Sequence, residues 1–268
     1  MHARTGCSSL EGSPEAHTMG SLWRLLSRGS ALAVWTLGLE VLWGVGVLVA
    51  APTGRGARWR RWIFRTWGRG VPSLLGITVH VRGTPPTEPG LLVSNHLSYI
   101  DIPIYAGLTG NAFVAKSEVR SWPAVGWLAR SMGTLFIDRA NKRDIPRVVE
   151  QITARFREGQ GIVIFPEGTS TDGSEVRPFY PSLLAPAAAV RQPVSYSSIK
   201  YRTPSGSPPA SRSVCWWGDM TFAGHFLSLL RLPSIDSTVT FGTEPVVDSD
   251  RKRIAERLCE AVRQIHSV

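Results

Sequence analysis

His96 and Asp101 stand five residues apart in the run Asn95-His96-Leu97-Ser98-Tyr99-Ile100-Asp101, and their types allow proton transfer. Imidazole, with a reference pKa of about 6.5, can take a proton from a hydroxyl near neutral pH. A carboxylate on its second ring nitrogen would hold the tautomer and stabilise the imidazolium that forms. Five residues of regular helix turn through about 140°, so the pair cannot face each other along one helix. They can meet if His96 lies on a turn and Asp101 opens the helix that follows. Read alone, the same pair also fits a helix N-cap or a surface contact. Lys116 and Arg139 add cationic donors suited to a phosphate, and a guanidinium can engage two oxygens at once. Glu167 cannot bind a phosphate itself. It is expected to orient Arg139 or Lys116, or to accept a hydrogen bond from a substrate hydroxyl. Gly168 lets backbone amides come close to an anion. Plainer readings make Arg139 a solvent-exposed strand end and 166–168 a simple turn.

These residues recur at one kind of place. Ile77, Val79 and Val81 alternate with polar residues, as in a half-buried strand. Short apolar runs follow at Leu91-Leu92-Val93, Ala112-Phe113-Val114, Thr134-Leu135-Phe136-Ile137 and Ile162-Val163-Ile164-Phe165, then from Val194 to Tyr201. Helical spacing between them is clearest at Ile145, Val148, Val149, Ile152 and Phe156, and a last helix is expected over about 250–265. Strands alternating with helices predict an α/β fold with a largely parallel central sheet flanked by helices. His96, Lys116, Arg139 and Glu167 each follow one of the four apolar runs. Ligands of open α/β sheets bind beyond the carboxyl ends of the strands, so the four clusters are expected to line one crevice. The Pro, Ser and Gly cluster at 204–213 reads as a loop within the same domain.

The 268 residues carry a formal net charge of +10, which asks for an anionic partner. Residues 1–75 hold nine arginines against three glutamates, so the excess gathers at one end, around an apolar segment. That favours a membrane surface over nucleic acid, for which no recognition signature is present. Three cysteines without a C-x-x-C pair support neither a disulfide framework nor a zinc site. Residues 1–18 read as disordered or as a mis-called start. Residues 31–51 contain one ionisable group, Glu40, and are long enough to cross about 30 Å of hydrocarbon. A re-entrant hairpin in one leaflet and a buried core helix are the other readings. Arg58, Arg61, Arg65 and Arg69 then fall on one helical stripe beside Trp59, Trp62, Ile63 and Thr66, which suits a helix in the headgroup region, the plainer reading being a solvated face on an ordinary core helix. The chain is thus expected to divide into a 19–75 membrane anchor with an interfacial helix and a 76–268 globular domain that carries the His96 and Asp101 pair. Arginines after the segment outnumber those before it, so if it spans, the C-terminal domain is expected on the cytoplasmic face of the membrane, the inner membrane if bacterial.

Four blocks in order resemble the phospholipid and glycerol acyltransferases, specifically the 1-acylglycerol-3-phosphate acyltransferase group. They are N-H-x-S-x-x-D at Asn95 to Asp101, A-K-S-E-V at Ala115 to Val119, G-x-x-F-I-x-R at Gly133 to Arg139, and F-P-E-G-T-S at Phe165 to Ser170. The resemblance is strongest over about residues 75–200.

What the resemblance implies is transfer of a fatty acyl group from acyl-CoA or acyl carrier protein to the free hydroxyl of a lysophospholipid. Foremost is 1-acyl-sn-glycerol-3-phosphate, giving phosphatidic acid. His96 would be the general base and Asp101 its orienting carboxylate. Lys116, Arg139, Glu167 and Gly168 carry over as acceptor-binding positions, with Thr169 and Ser170 beside them. No cofactor beyond the donor and no metal is implied, and no acyl-enzyme is needed, in keeping with the absence of a G-x-S-x-G elbow. The chain departs from the family where many members place a basic residue, reading Phe179-Tyr180-Pro181-Ser182-Leu183 there. This leaves a lyso-aminolipid acceptor open. Other lysolipids, glycerol-3-phosphate, donor-free transacylation and a non-catalytic lipid-binding role are the remaining readings.

Overall fold

Runs of Leu, Ile and Val bounded by polar turns make strands that are buried on both faces. In the computed structural model, which describes residues 14–50, 55–138 and 144–267, they build a seven-stranded sheet. Its strands are β1 (Ile77–Arg82), β2 (Leu91–Ser94), β3 (Ala112–Lys116), β4 (Leu135–Ile137), β5 (Ile162–Ile164), β6 (Val194–Arg202) and β7 (Ile235–Phe241). Their order is β1-β7-β6-β2-β5-β3-β4. β6 and β7 run antiparallel, and the other neighbours are parallel.

Side chains alternate across each strand, so adjacent residues enter opposite layers. Leu92, Phe113, Val163 and Ile199 pack on one face, under α2 (Gly56–Leu75) and α3 (Asp101–Thr109). Leu91, Val93, Ile162, Ile164 and Val194 pack on the other, under α5 (Asp144–Arg157), α6 (Pro181–Ala189) and α9 (Arg251–Ser267). A 3-10 turn (Ser117–Ser121) and α4 (Val125–Ser131) follow β3, while α7 (Ala210–Ser213) and α8 (Phe222–Arg231) join β6 to β7.

α2 and α3 approach through glycine. A Cβ on Gly68 would lie 2.4 Å from the Gly107 nitrogen, and one on Gly107 would lie 2.8 Å from the Gly68 carbonyl. At that separation the arginine stripe of α2 reaches the last turn of α3. Arg65 donates to the carbonyls of Gly107 and Leu108, Arg69 to that of Gly107, and Arg61 to those of Thr109 and Gly159. The last carbonyls of a helix lack intrahelical partners and carry its negative dipole end, which cations satisfy. Three members of the stripe expected on lipid phosphates, Arg61, Arg65 and Arg69, are therefore bonded to protein backbone, and Arg58 and Arg69 are exposed.

α1 (Pro14–Ala50) is long and apolar enough over Met19–Val49 to cross a membrane. Residues 14–18 of the segment expected to be disordered fall in this helix, and the remainder lies outside the described residues. One face docks on the domain. Arg28 donates to the carbonyls of Leu230, in the last turn of α8, and of Leu232 and Pro233 just after it, and Glu40 accepts from Ser131 of α4 at 2.6 Å. Trp59 of α2 sits over Gly46 and Trp35 of α1 over Gly70, each glycine making room for the other helix's indole. The opposite stripe, including Leu26, Val34, Leu37, Val41, Val45 and Leu48, stays exposed.

Candidate active site

The site begins where β2 ends. Asn95 leaves the strand but keeps its register through its side chain, donating Nδ2–H to the Ile199 carbonyl (3.0 Å) and accepting the Ile199 N–H on Oδ1 (2.8 Å). This amide acts as one more rung toward β6 and sets the turn on which His96 lies. The main chain of His96 is held twice: its N–H donates to Glu167 Oε1 (2.8 Å), and its carbonyl accepts the Thr171 N–H (3.0 Å). Its ring stacks on Phe165, with centroids 4.2 Å apart and planes 13° from parallel.

α3 starts at Asp101, so the two residues meet across a turn. His96 Nδ1 lies 2.7 Å from Asp101 Oδ2, which also accepts the Leu97 and Ser98 amides at 2.8 and 3.1 Å. Asp101 Oδ1 accepts the Tyr201 hydroxyl at 2.5 Å. Four donors and a helix N-terminus compensate for burying a side chain that is 0% exposed. A carboxylate only accepts, so Nδ1 carries the hydrogen and Nε2 keeps its lone pair. The imidazole is 22% exposed, enough for a hydroxyl to reach Nε2. Tyr99, in the same turn, packs edge-on against Trp216 and Phe222 and gives the turn an apolar flank.

The remaining expected residues divide. Lys116 ends β3 with its side chain exposed. Arg139 lies outside the described residues. Glu167 is 2% exposed, and among the described residues its partners are backbone amides: Oε1 takes the His96 amide and Oε2 the Arg177 amide at 2.9 Å. Burial pushes its carboxyl up to about 6, against the pull of those two amides. These two contacts brace the His96 turn. Gly168 adopts φ 75°, a left-handed turn that glycine makes without strain. Thr169 is exposed, whereas the Ser170 hydroxyl donates to the Trp216 carbonyl and Trp216 N–H to that of Leu97, tying the loop after α7 to the His96 turn.

Tyr201, Phe165 and the Asn95 side chain were not singled out by spacing. The available signal for Tyr201 was a phenol on a buried strand, since a buried tyrosine hydroxyl needs a partner. Burial also pushes the Cys215 thiol up to about 12, which removes it as a nucleophile at neutral pH. The arrangement can thus activate a hydroxyl by taking its proton.

The sequence model of the Acyltransferase family matches residues 76–198. A lyso-ornithine lipid O-acyltransferase of Rhodobacter capsulatus is 34% identical over 257 residues, 92% of this chain and 91% of the relative. Another from Rhizobium meliloti is 35% identical over 221 residues, 78% and 76% of the two chains. A 1-acyl-sn-glycerol-3-phosphate acyltransferase of Neisseria meningitidis is 28% identical over 200 residues, 74% and 78%. The crystal structure of the 1-acyl-sn-glycerophosphate acyltransferase PlsC from Thermotoga maritima shares the fold, with a TM-score of 0.67 at 20% identity over 94% and 98% of the chains. With relatives above 30% identity over most of its length and the family model covering β1 to β5, the start of β6 and the His96 turn, the chain belongs to the acyltransferase family and is an acyltransferase.

Proposed function

We propose that the protein moves a fatty acyl group from a thioester donor to the free hydroxyl of a lysolipid at a membrane surface, with His96 as general base. The observation that carries this reading is the open Nε2 of an imidazole whose Nδ1 is fixed on buried Asp101. Nε2 takes the hydroxyl proton as the oxygen attacks the thioester carbonyl. The tetrahedral intermediate then expels the thiolate, which recovers that proton from the imidazolium. Asp101 stabilises the charge that appears between the two steps.

The acceptor we favour is a lyso-aminolipid of the lyso-ornithine lipid type. Four relatives at 33–35% identity carry that name, against 28% and 26% for two Neisseria relatives named for 1-acyl-sn-glycerol-3-phosphate. The stretch 179–183, where a phosphate-binding relative would be expected to carry a cation, has none. Synthesis of phosphatidic acid is the second reading, favoured by the exposed Lys116 at the crevice edge. The exposed apolar stripe of α1 supports placement on a bilayer, and the arginine excess after it supports the cytoplasmic face.

One experiment separates these readings. Purified protein in vesicles is given an acyl donor and, in turn, lyso-ornithine lipid, 1-acyl-sn-glycerol-3-phosphate, lysophosphatidylethanolamine and glycerol-3-phosphate, and products are identified by mass spectrometry. Diacylated ornithine lipid formed fastest supports the proposal. Phosphatidic acid formed fastest replaces the acceptor, and product without added thioester replaces the donor.

A further inference from the structure

Four arginines that the proton-transfer site does not use line one groove at the β4 edge of the sheet. Arg120 and Arg130 come from the 3-10 turn and α4, Arg147 and Arg155 from α5, and the floor is Thr134 to Phe136. The groove holds about 740 Å³, within the range of small-molecule sites. Two of the guanidiniums are anchored at its wall. Arg130 Nη1 donates to the Arg120 carbonyl at 2.7 Å, and Arg147 Nη2 to the Phe136 carbonyl at 2.8 Å. Arg147 Nη1 also donates to Gln151 at 3.1 Å, whereas the fork of Arg130 keeps further N–H donors beside the groove. The lining also holds two acids, Asp138 and Glu158, against the four arginines, and Glu158 is bonded to Arg60 and Arg155.

Position decides what such a groove could hold. β4 is three strands from β2 in the order β2-β5-β3-β4, about 14 Å at roughly 4.8 Å per strand. An acceptor hydroxyl must come within about 3 Å of His96 Nε2, so the reacting end of neither substrate belongs here. The far end of a long substrate does. Ser117, the residue after β3, opens the groove toward the carboxyl ends of the strands, where a donor arm crossing β3 and β5 would arrive.

We propose that this groove binds the phosphates of the nucleotide end of a coenzyme A thioester, with the pantetheine arm running across the carboxyl ends of β3 and β5 to His96. Arginine forks match phosphate oxygens in charge and in bidentate geometry. The inference rests on the thioester-dependent reading above.

The test compares a long-chain acyl-CoA with the same acyl group on pantetheine, which lacks the nucleotide. In Arg120→Glu/Arg130→Glu, whose side chains are exposed, KM for acyl-CoA should rise about tenfold or more, as loss of charge-assisted hydrogen bonds would give. kcat should stay within about twofold, and so should kcat/KM for acyl-pantetheine. Calorimetry should show adenosine 3′,5′-bisphosphate binding to the parent and about tenfold weaker binding to the variant. Equal rises with both thioesters, no rise with either, or a rise confined to acyl carrier protein as donor would overturn the assignment. If the parent transfers acyl groups from no thioester, the functional reading has failed; the bisphosphate titration still decides the groove.

Discussion

Tyr201 hydrogen-bonds the side of Asp101 that His96 does not use, Oδ1 at 2.5 Å, from a strand outside the His96 turn. The carboxylate is thereby fixed at both oxygens, and the direction of its Oδ2 lone pair toward Nδ1 is set by β6. Removing the phenol oxygen with Tyr201→Phe keeps the ring and frees Oδ1. kcat should fall about tenfold, a change of about 1.4 kcal/mol in the barrier, with KM for donor and acceptor unchanged. The loss should be absent in an Asp101→Asn background, because both changes act on one hydrogen-bonded unit. Additive losses would place Tyr201 outside the proton-transfer chain.

His96→Ala removes the base and should lower acyl transfer about 10³-fold, within the usual range for general-base catalysis. Thiol release from acyl-CoA measures this. Co-sedimentation with vesicles and the melting temperature should match the parent, since the ring contributes a stack on Phe165 but no buried polar network beyond Asp101. Turnover within a few-fold of the parent would remove His96 from the mechanism.

Glu167 predicts a pH-dependent contribution to stability. Burial raises its carboxyl from 4.5 to about 6 in the fold, so between those values the folded chain binds the extra proton. Stability from this group is therefore fully present below about pH 4.5 and is lost as pH rises through 6, by about 2 kcal/mol. Glu167→Gln does not titrate. Its destabilisation relative to the parent should be greatest near pH 4.5 and smaller by about 2 kcal/mol at pH 7, read from denaturant midpoints. A pH-independent difference would contradict the assignment.

Gly68 and Gly107 set the distance between α2 and α3. Alanine at either would press a methyl into backbone atoms, at 2.4 Å for Gly68, and should cost about 1–3 kcal/mol. Gly38 and Gly44 of α1 have nothing within 4 Å of an added Cβ, so alanine there should be neutral or stabilising by up to about 1 kcal/mol through helix propensity. Thermal unfolding of the four variants checks the contrast. Catalysis should fall with Gly107→Ala as well, because α3 begins at Asp101.

Much of the fold was legible in local pattern. A strand covered on both faces must be a continuous apolar run, and β2, β3, β4 and β5 were placed from such runs within a residue or two. The alternation of β1 and the helical spacing of α5 and α9 were equally local. β7 escaped because Ile235, Val239 and Phe241 are separated by Ser237 and threonines, a pattern whose burial depends on lying between β1 and β6. His96 and Asp101 were recognisable because a turn of five residues brings them together without help from the rest of the chain.

What the sequence determined by itself, then, was which residues could share a strand end or a helix face. What those residues touch was decided by tertiary structure. The arginine stripe of α2 was visible as a stripe, yet phosphate oxygens and helix-terminal carbonyls are both acceptors, and only the Gly68–Gly107 approach brings the carbonyls within reach. Glu167 was visible as an acid beside two cations, yet two backbone amides meet it first. Tyr201 is 100 residues from Asp101 and joins it only because β6 pairs with β2, a contact that spacing along the chain does not encode.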